Sequence, residues 1–191
     1  MGVLELNATH ARVVSVFGSS RPLPDDSEYS VARRVGRELA VAGFVVCNGG
    51  YGGIMEASAR GAKDASGRTI GVTSNSLGPL RANAWIDTII PEETLVDRLL
   101  KLIALGDAYV VLKGGTGTLL ELAAVWEFMN KNMMPKKPFI AVGGFWNEVI
   151  QTLRGELAWE GLGMAAQLIT VVESPGECVD LLIRTLKSPG M

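Results

Sequence analysis

Short apolar runs and longer stretches of helical period alternate along almost the whole chain. Residues 12–17 (Arg-Val-Val-Ser-Val-Phe) form the first run and read as a strand that gives way to Gly18-Ser19-Ser20-Arg21. Beyond a polar loop with Pro22 and Pro24, residues 25–42 place Val31, Val35, Leu39 and Ala42 at the 3.6-residue period of a helix, which Gly43 ends. Residues 44–47 read as a buried strand, 54–63 as a helix and 69–72 as a third strand. Residues 75–88 carry no period, and a stretch that long inside a compact domain suits a lid or binding loop. Ile89-Ile90 closes a short strand; Pro91-Glu92-Glu93 then suits a helix opening, with proline in the first turn and acids near the positive dipole end, running to Leu105. Strand 108–112, helix 119–130, strand 139–142, helix 146–159, strand 169–172 and helix 175–186 complete the series. Such alternation implies right-handed βαβ crossovers and a sheet covered on both faces. Residues 1–191 therefore read as one α/β domain with a doubly wound, mostly parallel, Rossmann-like sheet.

Three of these strands end in small-residue turns: Gly18-Ser19-Ser20, residues 48–53 and residues 114–118. In open parallel sheets a ligand binds outside the carboxyl ends of the strands, near the reversal of strand order, where all three turns can converge. The third turn places three glycines within four positions between a strand and a helix. A turn of that kind aims unpaired N–H groups and a helix dipole at one point, which favours an anion. The expected phosphate cradle is Gly114, Gly115, Thr116, Gly117 and Thr118. The first turn is not G-x-G-x-x-G, the second strand ends in Asn48 rather than an acid, and no Gly-Lys-Ser/Thr follows the glycines. What remains is a mononucleotide or sugar-phosphate pocket. Arg98 and Glu121 are the chemical candidates, since a carboxylate and a guanidinium can together break a glycosidic or ester bond. Locally, however, Thr118-x-x-Glu121 is also a capping box, and Arg98 is also a surface arginine beside Asp97. On local pattern alone, those two readings come first.

Composition narrows the field further. A net charge of −2 gives no basic field for nucleic acid or an anionic membrane. No apolar run approaches the ~20 residues of a membrane span, and residues 1–5 lack a signal-peptide layout, so a cytoplasmic location is expected. The single histidine, His10, rules out His triads and multi-His metal sites. Cys47 and Cys178 lie far apart and read as small core residues, so neither a metal nor a cofactor is expected.

Gly114-Gly115-Thr116-Gly117-Thr118-x-x-Glu121 resembles the PGGxGTxxE signature of the LONELY GUY family, once described as lysine decarboxylase-like. Residues 48–55, which include Gly49, Gly50, Gly53 and Met55, resemble its GGGxxGLM segment, and Gly18-Ser19-Ser20 its first-strand turn. Arg98 stands 15 positions before Lys113, at the spacing of the family's catalytic arginine. The resemblance covers roughly residues 12–150. It implies a dimeric Rossmann-like hydrolase of the N-glycosidic bond of nucleoside 5′-monophosphates. The products are a free base and ribose 5-phosphate, with AMP or a cytokinin riboside 5′-monophosphate as substrate. Glu121 would be the catalytic carboxylate, Arg98 its partner, residues 114–118 the phosphate cradle, and Gly18, Ser19, Ser20, Gly49, Gly50, Gly53 and Met55 further substrate contacts. Four positions depart from the pattern: Lys113 for the signature proline, Leu99 for a lysine, Asn48 for the first glycine, and Glu56 for a frequent glycine.

Residues 119–129 are apolar on nearly every face, which suits a helix buried all round. A second subunit, and hence a homodimer, is expected to cover what the sheet does not; the alternative cover is the chain's own last helix. The competing functional class is a non-catalytic carrier, in which the same turns hold a nucleotide or molybdenum cofactor and nothing turns over.

Overall fold

The computed structural model describes residues 11–186. Its sheet has seven parallel strands in the order β4-β3-β2-β1-β5-β6-β7. β1 (Val13–Phe17) lies centrally, between β2 (Val45–Asn48) and β5 (Ala108–Val111). β3 (Thr69–Ser74) and β4 (Thr88–Glu92) extend one side, and β6 (Phe139–Val142) and β7 (Thr170–Val172) the other. The chain thus builds outward from β1 to β4, then crosses back to β5. The order reverses between β1 and β5, and the carboxyl ends of those strands part into a crevice.

Alternation along β1 assigns the two faces. Val14 and Val16 pack with α1 (Ser27–Val41), α2 (Ile54–Asp64) and α7 (Pro175–Leu186). Phe17, on the opposite face, packs with α3 (Leu95–Leu105), α4 (Thr116–Asn130) and α5 (Asn147–Trp159). Ser15 shares that face and satisfies its hydroxyl by donating to the Leu102 carbonyl of α3 at 2.8 Å. Cys47 and Cys178 are buried among apolar neighbours, and burial pushes each thiol up to about 12.

The largest departure from the sequence reading concerns Pro91. It belongs to β4, opposite Thr73 of β3, and α3 opens only at Leu95, where Thr94 Oγ1 accepts the Asp97 N–H at 3.1 Å. β4 is an edge strand, so the hydrogen bond that proline cannot donate is not required there. A 3₁₀ turn at Gly144–Trp146 precedes α5, and a four-residue helix α6 (Gly163–Ala166), which lacks a sequence signal, takes the Trp126 indole N–H on the Ala165 carbonyl at 2.7 Å. α7 lies with α1 across the sheet from α4, so it does not supply the cover considered for α4. Leu119 and Leu120 of α4 stay exposed, as do Leu95, Val96 and Leu100 of α3. No described helix is long and apolar enough to cross a membrane. His10 and residues 1–5 lie outside the described residues.

Candidate functional site

The three small-residue turns meet at the crevice. The Ser19 N–H donates to the Lys113 carbonyl at 3.0 Å, and the Ser19 carbonyl accepts the Ile54 N–H at 2.8 Å. The turn after β1 is thereby tied to those after β5 and β2. A cleft of about 460 Å³ opens above them, lined by Gly18, Ser19 and Ser20, by Met55 of α2, by Arg98 of α3, and by Gly115, Thr116, Gly117, Thr118 and Glu121.

The start of α4 decides the role of Glu121. The helix begins at Thr116, with Gly115 as an extended N-cap residue that supplies no side-chain cap. Its first backbone bond runs from the Leu119 N–H to the Gly115 carbonyl at 2.9 Å, so the N–H groups of Thr116, Gly117 and Thr118 precede it. The capping box does not form: Thr118 is the third helical residue, and Glu121 lies in the second turn. Gly114 makes this early start possible. A Cβ there would stand 2.1 Å from Thr118 Oγ1, and its absence lets the buried Thr118 fold back beneath the turn.

Arg98 and Glu121 face each other across the cleft, Nη1 to Oε1 at 3.9 Å, with side chains only 13% and 14% exposed. Arg98 is held on several sides. Its Nε donates to the Val72 carbonyl at 2.8 Å, Nη2 lies 3.6 Å from Met55 Sδ, and the guanidinium sits 5.6 Å over the Tyr51 ring. Gly49 lets it through, since a Cβ at 49 would fall 1.5 Å from Nη2. Burial pushes the Glu121 carboxyl up from 4.5 to about 7, against the opposing pull of Arg98. A carboxyl poised there can give or take a proton near neutrality.

The other expected residues divide between wall and support. Gly49, Gly50 and Gly53 do not line the cleft; they shape the loop beneath Arg98 and Ser19. Gly114 lines a neighbouring groove instead. Asn48, in place of the motif's first glycine, is fully buried, donating to the Met55 carbonyl at 2.8 Å and accepting the Gly50 N–H at 2.8 Å. It therefore organises the second turn that it interrupts in sequence.

Four lining residues escaped the sequence reading as site residues: Arg21, Tyr51, Leu77 and Leu80. Tyr51 sits within the second glycine turn, a usable signal; its hydroxyl accepts the Ser74 N–H at 2.9 Å. Leu77 and Leu80 come from the irregular loop, which Asn83 anchors by donating to the Gly50 and Tyr51 carbonyls at 3.0 and 2.8 Å. The length of the loop marks it as a binding loop, but nothing in it singles out these two residues, because the long-range anchor brings them to the cleft. Among the described residues, no group of three or more His, Cys, Asp or Glu side chains could hold a metal ion.

Comparison with known proteins gives this geometry a context. The model of the SLOG cluster4 family matches residues 11–151. An uncharacterized protein of Archaeoglobus fulgidus is 32% identical over 120 residues, spanning 63% of this chain and 78% of its own. Among solved structures, the molybdenum cofactor binding protein of Rippkaea orientalis superposes with a TM-score of 0.73 at 24% identity, covering 94% of this chain and 99% of that one. The molybdenum cofactor carrier protein of Chlamydomonas reinhardtii gives 0.74 at 22% identity, covering 93% and 99%. DNA processing protein A of Streptococcus pneumoniae gives 0.61 at 17%, covering 89% of this chain and 61% of that one. At such identities the likeness is one of fold, a Rossmann-like α/β domain.

Proposed function

We propose, for a chain that belongs to the SLOG cluster4 family, that it hydrolyses the N-glycosidic bond of a nucleoside 5′-monophosphate to a free base and ribose 5-phosphate. The observation that carries this reading is the meeting of Arg98 and Glu121, 3.9 Å apart, over uncapped helix N–H groups in one cleft. A phosphate on the N–H groups of Thr116, Gly117 and Thr118 meets the positive end of the α4 dipole. The ribose then extends towards Glu121. As the C1′–N bond breaks, its electron pair goes to the base nitrogen and the sugar carbon gains positive charge. The protonated Glu121 gives its proton to the departing nitrogen, a water oxygen adds to the sugar carbon, and Glu121 takes back one of that water's protons. Arg98 holds Glu121 in place and offsets negative charge during the step. The resemblance to the LONELY GUY hydrolases supports AMP or a cytokinin riboside 5′-monophosphate as substrate. The exposed Leu119 and Leu120 of α4 support a homodimer closed over that helix.

Base release from AMP and an N6-substituted AMP, followed by chromatography, tests the reading. Wild type should yield free base in equal amount with ribose 5-phosphate, and Glu121→Ala should lose on the order of 100-fold or more in rate. No product from wild type, or full activity in Glu121→Ala, overturns it. Tight AMP binding without hydrolysis would select the carrier alternative.

A further inference from the structure

A second groove begins on the far side of the glycine turn. It has a volume of about 340 Å³ and runs between the turn after β1 and the start of α1. Ser19 and Arg21 line both this groove and the cleft, while Gly114 lines the groove and Gly115 the cleft. The two spaces therefore adjoin across the turn. Phe145 also lines the groove, 50% exposed, edge-on to Trp146 with ring centroids 5.0 Å apart and with the Lys113 ammonium 5.6 Å from its ring centroid. An apolar recess of Val31, Leu112 and Val142 lies beside it.

The charges in the groove are unequal in their freedom. Lys113 is taken up by Glu28, whose carboxyl that ammonium and the Ser27 hydroxyl hold down to about 2. Asp26 accepts the Leu23 N–H at 2.7 Å. Arg21 is exposed and has no ion-pair partner among the described residues. A free guanidinium thus stands at the junction of two spaces, and a half-exposed ring lines the same groove. The Lys113–Glu28 pair forms the wall between α1 and the turn, at the position where the resembling motif carries proline.

We propose that this groove is a second subsite for the distal half of a nucleotide ligand carrying two linked phosphates. The proximal phosphate rests on residues 115–118, the next one meets Arg21, and a second planar ring lies against Phe145. This rests on the reading of residues 115–118 as a phosphate cradle. Guanidinium groups bind phosphoryl oxygens in bidentate fashion, and an exposed aromatic ring stacks any base whatever its edge.

The test is calorimetric titration of the full chain carrying Glu121→Gln, so that no glycosidic bond is cut, with AMP, ADP and diadenosine diphosphate. Affinity should rise in that order, with diadenosine diphosphate about tenfold or more tighter than AMP, the scale of one base stacked on one ring. Phe145→Ala should erase the advantage of diadenosine diphosphate over ADP and leave AMP unchanged, which also reports that the variant is folded. Arg21→Met should erase the advantage of ADP over AMP. Diadenosine diphosphate bound no more tightly than AMP, or Phe145→Ala weakening all three ligands alike, overturns the subsite while leaving the cradle intact. AMP failing to bind at all removes the cradle and the subsite together.

Discussion

Replacing Glu121 by Gln should make the protein more stable, by an amount that depends on pH in a calculable way. Burial holds the Glu121 carboxyl at about 7 in the folded chain, against an ordinary value of 4.5. Between those two values the folded state retains a proton that the unfolded state has released, so stability falls as pH rises. Glu121's favourable contribution is fully present below about pH 4.5 and is lost as pH passes through about 7. At about 1.4 kcal/mol per pH unit, the difference of roughly 2.5 units amounts to about 3 kcal/mol. Glutamine has nearly the same shape and does not titrate, and all other ionising groups are shared by the two proteins. Urea unfolding of wild type and Glu121→Gln at several pH values isolates the effect. The stability of the variant relative to wild type should grow by about 3 kcal/mol between about pH 4 and about pH 8, with unchanged denaturant slopes. The sign is a contest between burial and the guanidinium 3.9 Å away. A difference that stays flat with pH would mean that Glu121 is hydrated, and one of opposite sign would mean that Arg98 prevails; either refutes the reasoning.

Removing the guanidinium by Arg98→Met should raise the Glu121 carboxyl further. The Coulomb energy at 3.9 Å is about 1 kcal/mol in water and about 4 kcal/mol at an effective dielectric of 20, or about 1–3 pH units, readable by carbon-13 NMR titration; a lowered value would contradict it. Gly49→Ala should leave the fold intact, because the added Cβ meets the movable end of Arg98, yet it should displace that guanidinium. Base release should then fall by about 100-fold with little change in melting temperature, whereas unaltered activity would show that Arg98 need not pass there. Leu119→Glu with Leu120→Glu should convert a dimer to a monomer by light scattering; a wild type that is monomeric at micromolar concentration would refute the covered-helix argument.

The parallel α/β order was legible because most strands are short apolar runs bounded by turn residues: β6 occupies Phe139–Val142 just as its pattern predicts. Pro91 misled because the same Pro-Glu-Glu that opens a helix can also close an edge strand, and only the sheet order shows that β4 is an edge. The capping box misled for a similar reason. Thr118-x-x-Glu121 has the right spacing, but the helix start is set three residues earlier by the room at Gly114, a tertiary fact. Arg98 could be located only through a motif. Its neighbours Val72, Met55 and Tyr51 are far away in sequence, and no local period announces them.

The early start of α4 ties the two halves of the site together. Counted from Thr116, Glu121 is in the second turn and on the same helix face as Gly117 and Thr118. An anion on the first-turn N–H groups would therefore lie about one turn, or roughly 6 Å, from the carboxyl, a separation that a ribose can span. Two negative charges so placed would repel in a poorly hydrated cleft. A carboxyl already near 7 is half neutral at physiological pH, and an arriving phosphate would raise it further. The phosphate thus helps to keep on Glu121 the proton that a departing base requires, and its loss with the product would return the carboxyl towards its resting state. Under the hydrolase proposal, the position of Glu121 is what couples the arrival of substrate to the proton that the reaction needs.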